Sequence, residues 1–156
     1  RRQATGGDVL QFADKFRYDY GMSTPTKIAH IGIAVHSLDE TLPFYRDKLG
    51  MTVSEILELP ERGLRIAMLP CGESILELME PMGEGSQIAR FLEKRGQGIH
   101  HMCLGGSNLQ ARLDGLAGEG VRLINSTPEI GAEGLPVAFI HPRATGGVLL
   151  ELIEDE

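Results

Sequence analysis

Short stretches of this chain alternate apolar residues with small or polar ones, a period of two that indicates strands with one buried face. The clearest stretch covers residues 28–35, where isoleucine and valine alternate with His30, Gly32 and Ala34. Other stretches have a helical period, and Ser37, followed by Glu40, gives the first of them a capping box. The patterns predict strands over 28–35, 51–57, 63–69, 74–80, 99–105, 121–124, 136–140 and 147–153, and helices over 38–48, 86–95 and 108–118.

The predicted elements occur in the same order twice. Residues 75–80, Ile-Leu-Glu-Leu-Met-Glu, reappear at 149–154 as Leu-Leu-Glu-Leu-Ile-Glu. The strand around His30 has a counterpart around His101, 71 positions later. Each copy reads β-α-β-β-β, which indicates one structural unit written twice.

The repeat predicts an α+β fold in which two tandem βαβββ modules form a curved sheet around a cleft. One module alone would expose a face of its four-stranded sheet, whereas two modules together enclose those faces. Residues 1–24 read as an N-terminal extension with a loose helical pattern from Asp8 to Tyr20. The modules are predicted at about 27–81 and 98–154 of a single domain over 25–156, with a linker helix at about 82–97.

Composition and charge narrow the class of function. The 156 residues are 42% hydrophobic and 24% charged, as in ordinary globular proteins. Fifteen Lys and Arg stand against 22 Asp and Glu, and this net charge of −7 argues against a nucleic-acid partner. No apolar run approaches the roughly 18 residues of a membrane span. The two cysteines, Cys71 and Cys103, are too few for a disulfide scaffold, which predicts a cytoplasmic protein, or a mitochondrial matrix protein in a eukaryote.

Two histidines and two glutamates occupy matching places in the two modules. His30 and His101 lie in the first strand of each copy, and Glu77 and Glu151 lie in the last. A single buried histidine or glutamate is more often structural, but a carboxylate among apolar neighbours is costly unless it is paired or coordinated. The paired recurrence therefore favours a divalent cation such as Co²⁺, Zn²⁺, Mn²⁺ or Ni²⁺ in the cleft. His100 is expected to point away from the cleft, because adjacent residues of a strand face opposite sides.

The motifs around these residues resemble a known family. Ala-His-Ile-Gly-Ile-Ala-Val at 29–35, with a helix ending in Phe-Tyr-Arg-Asp-Lys-Leu-Gly-Met, resembles the opening of the vicinal oxygen chelate superfamily. Within it, three further stretches are similar to the methylmalonyl-CoA epimerase family, and the similarity covers about 27–154. These stretches are 60–69, 98–104 and 130–152.

The resemblance implies a metal centre and a reaction. The family's metal ligands fall on His30, Glu77, His101 and Glu151, and Co²⁺ is the expected ion. The implied reaction is the interconversion of the R and S forms of methylmalonyl-CoA at C2. A proton leaves one face of C2, an enolate forms, and a proton returns on the other face. The resemblance assigns the acid/base roles to Glu61, in the Pro-Glu-Arg-Gly turn, and to Glu151.

The resemblance also implies partners, and it leaves two alternatives open. It places Arg143 as a contact for the coenzyme A part of an acyl-CoA substrate, and it implies a homodimer, with no nucleic acid or membrane involved. One alternative is a glyoxalase I-like lyase or isomerase, and the other is a non-catalytic protein that binds a small ligand in the cleft. Residues 141–147, His-Pro-Arg-Ala-Thr-Gly-Gly, differ from the Asp-Pro-Asp-Gly type turn typical of glyoxalase I, which favours the epimerase.

Overall fold

The computed structural model describes residues 24–155, so the helix predicted between Asp8 and Tyr20 lies outside the described residues. Within the described part, no helix is long and apolar enough to cross a bilayer. The elements in chain order are β1 (Lys27–Ala34), α1 (Leu38–Pro43), β2 (Glu55–Leu59), β3 (Leu64–Cys71), β4 (Ser74–Pro81), α2 (Gln87–Arg95), β5 (Gly98–Gly106), α3 (Leu109–Gly118), β6 (Glu129–Ile130), β7 (Pro136–Ile140) and β8 (Leu150–Glu154).

The eight strands form one sheet in the order β2-β3-β4-β1-β5-β8-β7-β6. In the first module β1 pairs parallel with β4, and in the second β5 pairs parallel with β8. The register repeats as well, since Gly32 lies opposite Glu77 and Cys103 lies opposite Glu151. The antiparallel pair of β1 and β5 joins the two modules at the centre. This arrangement confirms the predicted α+β fold of two tandem βαβββ modules.

The sheet is covered by helices on both faces. One face packs against α1 in the first module and against α3 in the second, and the other face of β3 and β4 packs against α2. Four consecutive apolar residues of β3, 66–69, are buried. Neighbouring residues of a strand point to opposite sides, so both faces of β3 are covered. The buried side chains are Leu38, Leu42, Ala67, Leu69 and Leu78 around α1, Leu109, Leu113, Ala138, Ile140 and Leu152 around α3, and Ile66, Met68, Met79, Ile88 and Leu92 around α2.

A carboxylate from the last strand of each module caps the helix that follows the first strand. Glu80 accepts a hydrogen bond from the backbone N–H of Leu38 at 2.8 Å. Glu154 accepts from the N–H groups of Asn108 at 2.8 Å and Leu109 at 2.6 Å. Negative charge is favourable at a helix N-terminus, where the first N–H groups have no partner within the helix. The caps thus tie each helix to the strand that carries the glutamate of the predicted site, Glu77 or Glu151.

The predicted capping of α1 by Ser37 is confirmed, since the Ser37 hydroxyl accepts from the N–H of Glu40 at 3.3 Å. The helix predicted over 38–48 ends at Pro43, and residues 44–48 continue it as a wider π-helical turn. A proline inside a helix removes a backbone donor, which accounts for the change of winding.

Two predicted strands differ from the structure. The strand predicted over 51–57 begins only at Glu55, because Met51 and Val53 pack against the α1 cluster as irregular backbone. The strand predicted over 121–124 is wrong: Leu123 forms an isolated bridge with Ile140, and the edge strand is the two-residue β6.

Candidate metal centre

A cavity of about 440 Å³ lies between the two modules, and the four predicted metal ligands line it. His30 comes from β1, Glu77 from β4, His101 from β5 and Glu151 from β8, so each module contributes one imidazole and one carboxylate. All four residues are buried. The matched register of the two modules brings them together, because His30 and His101 lie on the two strands that pair at the centre of the sheet.

Three donor atoms form a nearly equilateral triangle. The Nε2 atom of His30 lies 3.0 Å from the Nε2 of His101 and 3.1 Å from the Oε2 of Glu151. The third edge, from the His101 Nε2 to the Glu151 Oε2, is 3.0 Å. Ligands at right angles on bonds of about 2.1 Å would lie about 3.0 Å apart. The triangle therefore matches one face of an octahedral cation site.

Glu77 also approaches the His30 ring. Its Oε1 atom is 3.7 Å from the Nδ1 of His30, and both atoms are buried without a hydrogen-bond partner among the described residues. An unpaired buried carboxylate oxygen is costly unless a cation or a donor reaches it. Within the described part of the chain, His30, Glu77 and His101 offer ligand atoms that all lie within 4.8 Å of one another.

The electrostatics of the cavity favour a positive charge. Burial raises the pKa of Glu77 to about 7, although the charge of His30 opposes the shift. Burial has the same sign at Glu151, but His101 and His30 outweigh it and lower the pKa of that carboxyl to about 2. Burial lowers the pKa of His30, but the neighbouring Cys103, Glu133 and Glu151 raise it to about 12. The buried carboxylates thus favour a positive charge among them, and the imidazole and carboxylate donors fit a divalent ion.

The structure places His100 in the cavity, contrary to the expectation that it points away from His101. Along the β1–β5 pair, Gly32 lies opposite His101 and Ile33 lies opposite Ile99, so His100 is an extra residue in a β-bulge. The bulge turns both histidines toward the same side, and their Nδ1 atoms lie 3.0 Å apart. Burial and the neighbouring His101 lower the pKa of His100 to about 4, so it is neutral near pH 7.

Glu61 and Arg143 are not among the residues that line the cavity. Glu61 is exposed on a 3-10 turn, Pro60–Arg62, while its neighbour Arg62 lines the cavity edge. Arg143 is exposed on a second 3-10 turn between β7 and β8. The structure thus brings together the four predicted metal ligands and leaves these two side chains at the surface.

Glu133 is a site residue that sequence reasoning missed. It lies in the loop between β6 and β7, and its Oε1 atom is 3.6 Å from the Nδ1 of His30. The sequence signal, a lone acidic residue within Gly-Ala-Glu-Gly, is weak because such turns are usually solvated.

The sequence and the fold both match proteins of known families. The profile of the glyoxalase/bleomycin resistance protein/dioxygenase superfamily matches residues 29–139. The chain is 39% identical over 127 residues to "Methylmalonyl-CoA epimerase, mitochondrial" of Mus musculus, covering 81% of this chain and 71% of the mouse protein. It is also 39% identical over 128 residues to "Ethylmalonyl-CoA/methylmalonyl-CoA epimerase" of Cereibacter sphaeroides, covering 81% of this chain and 96% of that protein.

A solved structure supports the same grouping. It is a single-residue variant of the Streptomyces coelicolor methylmalonyl-CoA epimerase in complex with 2-nitronate-propionyl-CoA, and it superposes with a TM-score of 0.77 at 37% identity. The match covers 85% of this chain and 96% of that chain. These matches confirm the family resemblance read from the sequence motifs. The chain belongs to the glyoxalase/bleomycin resistance protein/dioxygenase superfamily and, within it, to the methylmalonyl-CoA epimerase family.

Proposed function

We propose that this protein is an epimerase that interconverts the R and S forms of methylmalonyl-CoA at C2. The observation that carries the proposal is the triangle of donor atoms from His30, His101 and Glu151, buried in a cavity between two repeated modules. The relatives named methylmalonyl-CoA epimerase support the choice of substrate among the reactions this fold serves.

His30, Glu77, His101 and Glu151 would hold the divalent cation. When bound, such an ion supplies a Lewis acid that stabilises negative charge on the oxygens of the substrate. Apolar side chains of the cavity wall, including Leu64, Ile66 and Phe139, would limit the access of water to the reacting carbon. Imidazole and carboxylate donors suit Co²⁺, Zn²⁺, Mn²⁺ and Ni²⁺ alike. We infer Co²⁺ as the ion because the family resemblance implies it, and the other three are alternatives.

The reaction needs an acid/base group on each face of C2, and we propose Glu61 and Glu151 for these roles. One carboxylate takes the C2 proton, the C–H electron pair moves toward the thioester oxygen, and the enolate then receives a proton on the opposite face. The Arg62 guanidinium donates to the carbonyl of Ile130 at 2.7 Å, which fixes the turn that carries Glu61 at the cavity edge. An exposed side chain on a fixed turn can change rotamer rapidly, and we propose that Glu61 turns inward over bound substrate.

Three further inferences come from the family resemblance. We propose Arg143 as a contact for the coenzyme A moiety, since a guanidinium pairs well with phosphate. The homodimer stays a prediction, because the structure describes one chain. The compartment, cytoplasm or mitochondrial matrix, also stays a prediction, although the mouse relative is named mitochondrial.

Solvent exchange tests the proposed reaction. Protein loaded with Co²⁺ should exchange the C2 proton of methylmalonyl-CoA for deuterium in D₂O, as followed by NMR. Failure to exchange with metal bound, or turnover of a methylglyoxal–glutathione hemithioacetal instead, would contradict the proposal.

A variant of Glu61 tests the acid/base assignment. Glu61→Gln should lower the exchange rate by about 10²–10⁴-fold while the affinity for Co²⁺ stays unchanged. Glu58→Gln is the matched control, because it removes a carboxylate that is 63% exposed three positions earlier. Equal rates in the two variants would contradict the role of Glu61.

A further inference from the structure

The imidazole of His30 has one nitrogen whose role the predicted ligand set leaves open. Its Nε2 belongs to the donor triangle with His101 and Glu151. Its Nδ1 is buried and has no hydrogen-bond partner within 3.5 Å among the described residues. A neutral imidazole that binds a cation through Nε2 carries its proton on Nδ1, and that N–H needs an acceptor.

His101, the second predicted imidazole ligand, already has a partner of this kind. The Nδ1 of His100 lies 3.0 Å from the Nδ1 of His101, at the far side of the ring from the triangle. The β-bulge that brings His100 into the cavity thus fixes the orientation of His101. The bulge residue beside His30 in the first module is Ala29, whose side chain has no acceptor, so the equivalent acceptor must come from another element.

Two carboxylates face the Nδ1 of His30 at nearly equal distances. The Glu133 Oε1 atom is 3.6 Å away and the Glu77 Oε1 atom is 3.7 Å away. The Glu77 side chain is only 4% exposed and is held within β4, and its unpaired oxygen would serve as a ligand to the proposed cation. The Glu133 side chain is 26% exposed and lies on a loop, so it can move the roughly 0.8 Å that a hydrogen bond requires. Glu133 is therefore the better acceptor, and it leaves Glu77 available as a ligand.

The loop that carries Glu133 is held in place by both modules. The Gly131 N–H donates to the carbonyl of Leu135 at 2.8 Å, which closes the loop within the second module. Arg62, from the first module, donates to the carbonyls of Ile130 at 2.7 Å and Gly131 at 3.4 Å. These bonds fix the backbone on either side of Glu133, whose side chain lies near His30.

We propose that Glu133 is a positioning residue of the metal centre, which accepts the Nδ1–H of His30 and thereby holds the Nε2 of that ring toward the cation. The inference rests on the proposed function only in that it takes these residues to bind a divalent ion. Removal of a carboxylate that orients a metal-binding histidine typically weakens metal affinity by about 10–100-fold.

Metal affinity and the tautomer of His30 test this proposal together. Calorimetric titration of the metal-free chain with Zn²⁺ should give a dissociation constant about 10–100-fold higher for Glu133→Ala than for wild type. Glu133→Gln should lose less affinity, because the amide oxygen still accepts a hydrogen bond. In the Zn²⁺-loaded wild type, long-range ¹H–¹⁵N correlation spectra should show a slowly exchanging Nδ1–H on His30 that exchanges rapidly in Glu133→Ala.

Glu129→Gln is the matched control, because Glu129 lines the same cavity from the same hairpin, whereas the ion pairs of His30 among the described residues are with Glu77, Glu133 and Glu151. It should bind Zn²⁺ within about two-fold of wild type, well inside the change expected at Glu133. Unchanged affinity in both Glu133 variants would overturn the proposal, as would an Nδ1–H signal that depends on Glu77 and not on Glu133. If Glu133→Ala fails to fold, Glu133→Gln supplies both readouts.

Neither readout uses the substrate, so this test and the test of the proposed function can fail separately. A wild-type protein that binds Zn²⁺ but shows no deuterium exchange would refute the epimerase and leave the role of Glu133 intact. Normal deuterium exchange at C2 of the substrate, together with unchanged Zn²⁺ affinity in the Glu133 variants, would refute only the positioning role.

Discussion

A single methyl group at Gly32 should disable the metal centre. Gly32 lies in β1, opposite Glu77 in the parallel register. A Cβ atom at this position would lie 2.3 Å from the Cε1 and 2.5 Å from the Nδ1 of His101, and 2.8 Å from the Cε of Met79. The methionine can yield because it is flexible, but the imidazole is packed against His30, His100 and Phe139.

The displacement follows from the contact distances. Carbon atoms in contact lie about 3.5–4.0 Å apart, so the His101 ring in Gly32→Ala must move by about 1.2 Å or more. Metal sites tolerate errors of only about 0.2 Å in ligand distance. Movement of one reacting group by about 1 Å typically costs about 100-fold in rate. We therefore expect the affinity for Zn²⁺ and the rate of deuterium exchange at C2 of the substrate each to fall by about 100-fold. We also expect overpacking to lower the free energy of unfolding by about 1–3 kcal/mol.

Calorimetric Zn²⁺ titration, the deuterium-exchange assay and urea denaturation measure these three quantities. Gly118→Ala is the control, since a Cβ at Gly118 in α3 would meet no atom within 4 Å. A folded Gly32→Ala protein with the metal affinity of wild type would refute the reasoning, because the His101 ring would then not need its present position to bind the cation.

Three further changes test the fold and the site. Glu154→Ala should lower the free energy of unfolding in urea by about 1–2 kcal/mol, because it removes the acceptor for the first N–H groups of α3, including that of Leu109. Arg62→Ala should raise the amide hydrogen exchange rate of Gly131 about five-fold, because it removes the bond of about 1 kcal/mol to the carbonyl of Ile130. Chelation of the metal should lower the free energy of unfolding by about 2.7 kcal/mol relative to protein at a free ion concentration of about 100 times the dissociation constant.

Each of these expectations has a contradicting result. Wild-type stability in Glu154→Ala would show that solvent replaces the cap without loss. Unchanged exchange at Gly131 in Arg62→Ala would show that the loop does not depend on the first module. Equal free energies of unfolding for the chelated and metal-loaded proteins would show that no ion binds preferentially to the folded state.

The repeat in the sequence was sufficient to predict the architecture and the meeting of His30, Glu77, His101 and Glu151 in one cavity. The offset between His30 and His101 and the offset between Glu77 and Glu151 carry the pattern, because strands in the same register place equivalent residues at equivalent points of the sheet. The two modules repeat even the caps, since Glu80 and Glu154 each follow the site glutamate by three residues. Such long-range pairing is visible in a sequence only when the chain repeats it.

Local irregularities could not be predicted in the same way. The alternation rule assigned His100 to the wrong side of its strand, because a bulge adds one residue that the hydrophobic pattern of the sequence does not reveal. The segment around Leu123 has a strand-like pattern, but the Asn125 side chain accepts from the N–H of Phe139 at 2.7 Å and interrupts the ladder. Both errors arise from single contacts that depend on a partner distant in sequence.

The loop residues of the site were the hardest to assign. Glu133 faces His30 only because a hairpin of the second module and Arg62 of the first hold its loop over the cavity. Glu61 lies in a motif that the resemblance singles out, yet its side chain is exposed. Loops take their positions from tertiary contacts, so neither periodicity nor propensity locates their side chains.

We expect the two repeated modules to bind one cation through two imidazoles and two carboxylates. Anomalous diffraction from a crystal of the chain loaded with Co²⁺ would locate this ion. We expect one strong peak between the modules, about 2.0–2.2 Å from donor atoms of His30, Glu77, His101 and Glu151. A peak at any other place, or bonds to fewer than three of these four side chains, would contradict this expectation.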